Sequence, residues 1–285
     1  MGRFGRGMEL ARASWTIVRR DRTLMLLPLA SGVLLLATAF VIFGPALFVS
    51  DRENSKLPLV PAAVIAVYAC TFISVYFRVA FAAVVSARLD GDPMTVGDGL
   101  TLAAARLGSI GWWTFIAGSV GLLLRALRQL PFAGDLVEAI VAGVLGAVWG
   151  ALTFFVVPIL AIEQVGPREA VERSVRTVRE RWGEGVTGFL AITGVYVIAL
   201  FAVVALIGVG GLMLDGSPPA GAAVMAVGFV ALVLLALVIA TIQQVFGVVL
   251  YRFATDRGVT PGFSEDQLDD AVRRRRGLLA RLRSG

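Results

Sequence analysis

Residues 220–250 read AGAAVMAVGFVALVLLALVIATIQQVFGVVL, thirty-one consecutive positions without a charged side chain. About 20 apolar residues, at ~1.5 Å each, cross the hydrocarbon of a bilayer. This run therefore predicts a transmembrane helix with length to spare. Just before it, Asp215-Gly216-Ser217-Pro218-Pro219 reads as a turn, and ahead of the turn residues 186–214 form a second uncharged run. The two make a transmembrane hairpin. Toward the N-terminus the same hydropathy criterion finds Leu24 to Val49, Leu57 to Ser86, Leu107 to Leu124 and Leu136 to Ile162. The expected fold is all-α, a polytopic transmembrane helical bundle of six spans in residues 1–251, followed by a tail, 252–285. The second run is longer than a bilayer requires, which predicts tilt or a helical extension into water. The first run follows a leading polar segment more than twenty residues long and has no small-residue cleavage site after it, so it is expected as a retained span rather than a secretory signal.

Composition points the same way. Of 285 residues 58% are hydrophobic and 16% charged, against roughly half and a quarter in an ordinary soluble domain. There is no histidine, and the one cysteine, Cys70, lies inside an apolar run. Structural zinc, histidine-held haem, iron–sulfur clusters and Ser-His-Asp or Cys-His nucleophiles all need residues this chain lacks. It has no phosphate-binding Gly-rich loop with Lys and Ser/Thr. Paired carboxylates at membrane depth are missing, and Asp90, Asp92 and Asp98 lack the spacing of a phosphatidyltransferase. We expect no cofactor, no metal and no enzymatic activity.

The net charge of +6 would point to nucleic acid in a soluble protein, but here the cations flank the spans. The segment to Thr23, the loops 87–106 and 163–185, and the tail from Tyr251 together hold twenty-one arginines, while the opposite loops hold Arg52, Lys56, Arg125 and Arg128. The positive-inside bias then places both termini in the cytoplasm of a bacterial inner membrane. Arg19, Arg20, Arg22 and Arg273, Arg274, Arg275 and Arg276 are the expected contacts for anionic headgroups. No nucleic-acid partner is expected, and the oligomeric state is not readable.

The loops on the arginine-rich side carry helical patterns. Val96, Leu100, Ala103 and Leu107 recur at i, i+4, i+7 and i+11, and Val171, Val175, Val178 and Trp182 repeat that spacing 75 residues on. Thr95 with Asp98 forms a capping box, and Gly166-Pro167 puts proline in a first turn. Met8, Ala11, Trp15 and Val18 give a weaker counterpart. Three units of amphipathic interfacial elbow helix plus hairpin result, at about 4–86, 94–163 and 166–251. In the tail, Ser264 and Gln267 cap a helix over about 265–283, acidic at its start and basic at its end.

Ionisable groups at membrane depth are the default place to seek function. Arg78 is the clear case, forming a stripe with Thr71 and Ser74, while Glu163, Gln164, Thr241, Gln243 and Gln244 close other spans on the same side. They predict a polar cluster open to the cytoplasm, with Arg78 pairing with Glu163 or a lipid phosphate; the competing reading is that Arg78 snorkels to water. Gly143, Gly146 and Gly150 offer a close-packing surface on span four, and Pro158 predicts a kink there.

The opening Met1-Gly2-Arg3-Phe4, with Gly7, Ala13-Ser14-Trp15, Arg19-Arg20-Asp21 and Leu27-Pro28-Leu29, resembles the start of a family of uncharacterised six-helix bacterial membrane proteins, a domain of unknown function. More distantly the chain resembles the membrane domains accompanying some glycerophosphodiesterases, whose catalytic domain it lacks. The resemblance implies an integral inner-membrane protein. The reading favoured is a non-enzymatic membrane scaffold or lipid-interacting protein, with a protein partner on its cytoplasmic loops as one use of the elbows. The alternative is a transport component, exporter-like half or small-solute carrier, using a polar cavity near Arg78.

Overall fold

A computed structural model describes residues 21–53, 58–127, 135–163, 165–181 and 185–255. Every regular element among them is helical: a 3-10 turn, Arg22–Met25, then α1 (Leu26–Glu53), α2 (Leu59–Leu89), α3 (Val96–Ala104), α4 (Leu107–Leu127), α5 (Asp135–Leu152), α6 (Val156–Ile162), α7 (Pro167–Arg181), α8 (Gly185–Met213) and α9 (Pro218–Ala254). Six candidate spans lie where expected, supplied by α1, α2, α4, α5 with α6, α8 and α9. The protein is an all-α, multi-pass membrane protein. The predicted N-terminal elbow and tail helix fall outside the described residues. Two compact units divide the chain, one of residues 26–180 and one of 21–25 with 181–255 among those described.

In the first unit, α4 packs against α2. Its described residues, Leu107–Leu127, measure ~32 Å, enough to cross the hydrocarbon. Tyr68 on α2 lies against α4, its hydroxyl 2.9 Å from Ser119 Oγ and its ring stacked on Phe115 at 6.0 Å. The two helices run antiparallel, and this register puts Arg78 level with the first turn of α4. Beyond that level α2 continues for eleven residues to Leu89, another ~16 Å. At 31 residues, α2 is longer than a bilayer requires, as the sequence predicts.

That extension is the core. Val79 through Ser86 are buried without interruption, all at 7% exposure or less, the pattern of a helix enclosed on every side. α3 folds back along it: Gly99 sits where an added Cβ would be 2.9 Å from the Ala80 carbonyl and would overlap the Val84 side chain. Tyr76 Oη donates to Leu100 O at 3.0 Å. The turn between them is fixed by Gly91 at φ +84°, a left-handed position that glycine fills without strain, and by Arg88 Nε donating to Met94 O at 3.0 Å. The expected capping box starts α3: Thr95 Oγ1 accepts from Asp98 N at 3.2 Å, while Thr95 N donates to Asp98 Oδ2 at 2.9 Å.

Span four is not continuous. α5 stops at Leu152, Thr153 to Phe155 form a turn, and α6 resumes at Val156. Pro158 explains the position, because its missing N–H leaves the Phe154 carbonyl without a helical donor. α6 packs beside the α2 extension, with Phe155, Val156, Ile159 and Leu160 all at 1% exposure or less.

In the second unit, α8 and α9 form the predicted hairpin around the Asp215–Pro219 turn. Its glycines allow near contact of the backbones: a Cβ on Gly210 would be 2.7 Å from Met225 N, and one on Gly221 would be 2.7 Å from Gly210 O. Most large side chains along the hairpin face outward, Phe201 and Leu212 among them. Burial returns only near the end of α9, where Val245 to Arg252 are continuously buried.

Two outcomes test this core. Gly99→Leu must push α3 off α2 and is expected to cost about 1–3 kcal/mol, read as a lower Tm in detergent, whereas Gly97→Ala, whose Cβ meets only Thr95 Oγ1 at 3.6 Å, should leave Tm nearly unchanged. The Thr95 hydroxyl and backbone bonds hold the Asp98 carboxyl below its ordinary value. A depressed folded-state pKa stabilises above the unfolded value of ~3.9 and that gain disappears as pH falls through the folded one. The Tm difference between wild type and Asp98→Ala should therefore be full at neutral pH and shrink below about pH 4.

Candidate functional site

Where a membrane helix breaks, its freed backbone groups need partners. Here α7 supplies one of them. Ser174, fully buried, accepts from Phe155 N at 3.2 Å and donates to Leu152 O at 2.7 Å, so one hydroxyl bridges both lips of the break. The other end of α6 is held by Arg106, between α3 and α4, whose Nη1 donates to Leu160 O and, at 2.8 Å, to Ala161 O. Its partial burial lowers the guanidinium pKa from the ordinary value, yet an arginine remains charged, which suits it to the C-terminal carbonyls of a helix.

Glu163, at the end of α6, pairs with Arg173 of α7, and Arg173 also holds Glu169. The hydrogen bonds that Arg173 donates to Glu163 and then to Glu169 raise its pKa. These contacts form a belt that locks α6 and α7 onto the unit. The sequence placed Glu163 in the polar cluster but did not find Arg106, Arg173 or Ser174. The available signal was Pro158: a break in a span calls for a polar group on a facing helix, and Ser174 lies on the apolar side of α7.

Arg78 lies apart from this belt. The side chain is exposed. Among the described residues it has no ion pair or hydrogen bond, and neither do Thr71 and Ser74, both half-buried on the same stripe. The contact of Tyr68 with Ser119 and Phe115 puts it level with the start of α4. Thr241 is buried and bonds back to Leu237 O at 2.7 Å, and Gln243 and Gln244 are half-buried on α9. Gln164 lies outside the described residues, as do Arg19, Arg20 and Arg273 to Arg276; Arg22 is exposed in the 3-10 turn. Of the span-four glycines, Gly146 has Leu124 Cδ1 3.8 Å from a would-be Cβ, and Gly143 and Gly150 have nothing within 4 Å. Within the chain the close approaches fall instead at Gly99, Gly118, Gly210, Gly221 and Gly228.

On the opposite face of α2 from Arg78 a groove of about 570 Å³ opens between α1, α2 and α4, lined by Thr38, Tyr68, Phe72, Gly111, Thr114 and Phe115 with two aliphatic neighbours. It lies wholly within the first unit. Thr114 is 4% exposed and its hydroxyl has no hydrogen-bond partner.

The broken span, the short helices α3 and α7 and the groove belong to a multi-pass helical membrane protein. Residues 58–262 match the Family of unknown function (DUF6159), and the chain belongs to that family. No curated protein and no solved structure matches it.

If the Ser174 bridge holds the break, Ser174→Ala should cost about 1–3 kcal/mol, because a buried donor and a buried acceptor are left unmade at once. Thermal unfolding in detergent reads this directly, and Arg176→Ala on the exposed face of the same helix is the control expected near zero.

Proposed function

We propose that the protein is a non-enzymatic protein of the bacterial inner membrane, with both termini cytoplasmic, that binds anionic lipid headgroups at the end carrying α3 and α7. The observation that carries this reading is Arg78: among the described residues a guanidinium without a partner, exposed and level with the start of α4. A cation at that level reaches a lipid phosphate by snorkelling, and each contributes about 1 kcal/mol of attraction to anionic lipid. The excess of arginine in the segments on that side supports the orientation. The distant resemblance to domains that accompany glycerophosphodiesterases leans the same way, toward phospholipid, without supplying an activity. As a scaffold the protein would present the outer faces of α3 and α7 to a partner.

A second reading is favoured by the stripe itself. Thr71, Ser74 and Arg78 are accessible and unpartnered along one side of a spanning helix, as a solute pathway needs.

Native mass spectrometry of the full chain in mild detergent with added phosphatidylglycerol separates the two. Wild type should retain the lipid over phosphatidylethanolamine, and Arg78→Gln should reduce retention about fivefold, the equivalent of ~1 kcal/mol, while Arg78→Lys preserves most of it. Equal retention in wild type and Arg78→Gln overturns the lipid reading. Solute flux into protein-containing vesicles that disappears in Arg78→Gln would support the carrier.

A further inference from the structure

Span four breaks further than its proline requires. Pro158 removes one helical bond, the one its own nitrogen would donate to the Phe154 carbonyl. A continuous, proline-kinked helix leaves that carbonyl unpaired and keeps the bonds on either side. The chain instead turns through residues 153–155. There Phe154 N donates to Ala151 O at 3.3 Å and Val156 N to Thr153 O at 3.1 Å, each one carbonyl short of its α-helical partner. The tightening takes the usual partners from Leu152 O and Phe155 N, and the Ser174 hydroxyl of α7 serves both, at 2.7 and 3.2 Å.

The same two groups have a second solution. If the segment relaxes by one carbonyl to α-helical spacing, Val156 N reaches Leu152 O and Phe155 N reaches Ala151 O. Both are then satisfied inside span four, and Ser174 has no task there. The change is confined to residues 154–157, because Thr153 N already meets Trp149 O at 3.0 Å and Ile159 N meets Phe155 O at 2.9 Å, both at α-helical spacing. Buried backbone groups are paired in either arrangement, so the position of α7 decides between them. Short 3-10 stretches inside long helices often mark hinges.

The helix that supplies the hydroxyl is both anchored and accessible. Ala170 and Ser174 are fully buried on one side of α7, and Arg173 ties it to Glu163 at the end of α6. Arg168, Glu172 and Arg176 are exposed on the other side.

We propose that α7 is a latch on a hinge in span four. Docked, its Ser174 hydroxyl holds residues 153–155 in the broken form; withdrawn, it lets α5 and α6 join into one kinked helix from Asp135 to Ile162. The coupling is reciprocal: whatever draws α7 away closes the break, and whatever closes the break loosens α7. The device is independent of headgroup binding at Arg78.

The test measures a distance across the break by electron spin resonance on the full chain in detergent. Spin labels are carried by Val144→Cys and Ile162→Cys in a Cys70→Ala background. The two positions are eighteen residues apart, so the joined helix separates their backbones by about 27 Å. Wild type should show one main population. Ser174→Ala should raise the share of a population near 27 Å about fivefold or more, the effect of losing a buried hydroxyl that bonds twice. Pro158→Ala restores the donor for Phe154 O and leaves α7 intact, and it should raise the same population. Arg176→Ala, on the exposed side of α7, should match wild type. Identical distributions in wild type, Ser174→Ala and Pro158→Ala overturn the proposal. A Ser174→Ala distribution that only broadens, with no peak near that distance, means that the break loosens without a second state and also overturns it. Should Ser174→Ala fail to fold, Pro158→Ala decides alone, and an unshifted distribution there overturns the hinge.

Discussion

Apolar side chains inside a bilayer gain little by leaving lipid for one another, since the hydrocarbon is as apolar as they are. Outside it the hydrophobic effect operates at full strength, with about 1.5–3 kcal/mol for each large aliphatic or aromatic side chain enclosed. The first unit follows from that difference. Its spans carry outward-facing Leu36, Phe40, Leu123 and Val144, while the helical extension from Val79 to Ser86 is sheathed by α3 and α6. The second unit repeats the distribution, with an open α8–α9 hairpin and a continuously buried segment near the end of α9. Where the second unit's spans do touch, glycine brings them close, which is the contact available to helices that lack a hydrophobic drive.

The same distribution shows what each polar group is for. Ser174 and Arg106 serve the backbone of α6, and the Glu163–Arg173–Glu169 cluster ties α7 down. These are structural duties, and they use up most of the polar belt. The Thr71–Ser74–Arg78 stripe is left over, on a side of α2 where a molecule from the membrane can approach. A binding function is therefore sought in those residues that packing does not consume.

Much of the fold was legible because long apolar runs carry a strong period-independent signal and caps carry a local one. The six spans, the Thr95–Asp98 box, the start of α7 at Pro167 and the hairpin turn before α9 all follow from residues adjacent in sequence. The site was less so. Arg78 stands within an apolar run, and only the contact of Tyr68 with Ser119 and Phe115 reveals that it lies level with the start of α4. Pro158 announced a bend, but the identity of the group that heals it, Ser174, depends on how α7 folds back. A glycine pattern such as Gly146-x-x-x-Gly150 states that a helix can approach and not that one does; the neighbouring chain at Gly99 is set by α3, a short helix whose path no spacing fixes.

The sheath around Val79–Ser86 also imposes an order in time. Those residues leave the ribosome about eighty positions before α6, at 156–162, is complete, and at 5–20 residues per second that interval is on the order of ten seconds. Throughout it the segment has α3 but not yet α6 to cover it. The tight fit of Gly99 then acts during synthesis as well as in the finished protein, giving the nascent chain a first cover until the broken span arrives to complete it.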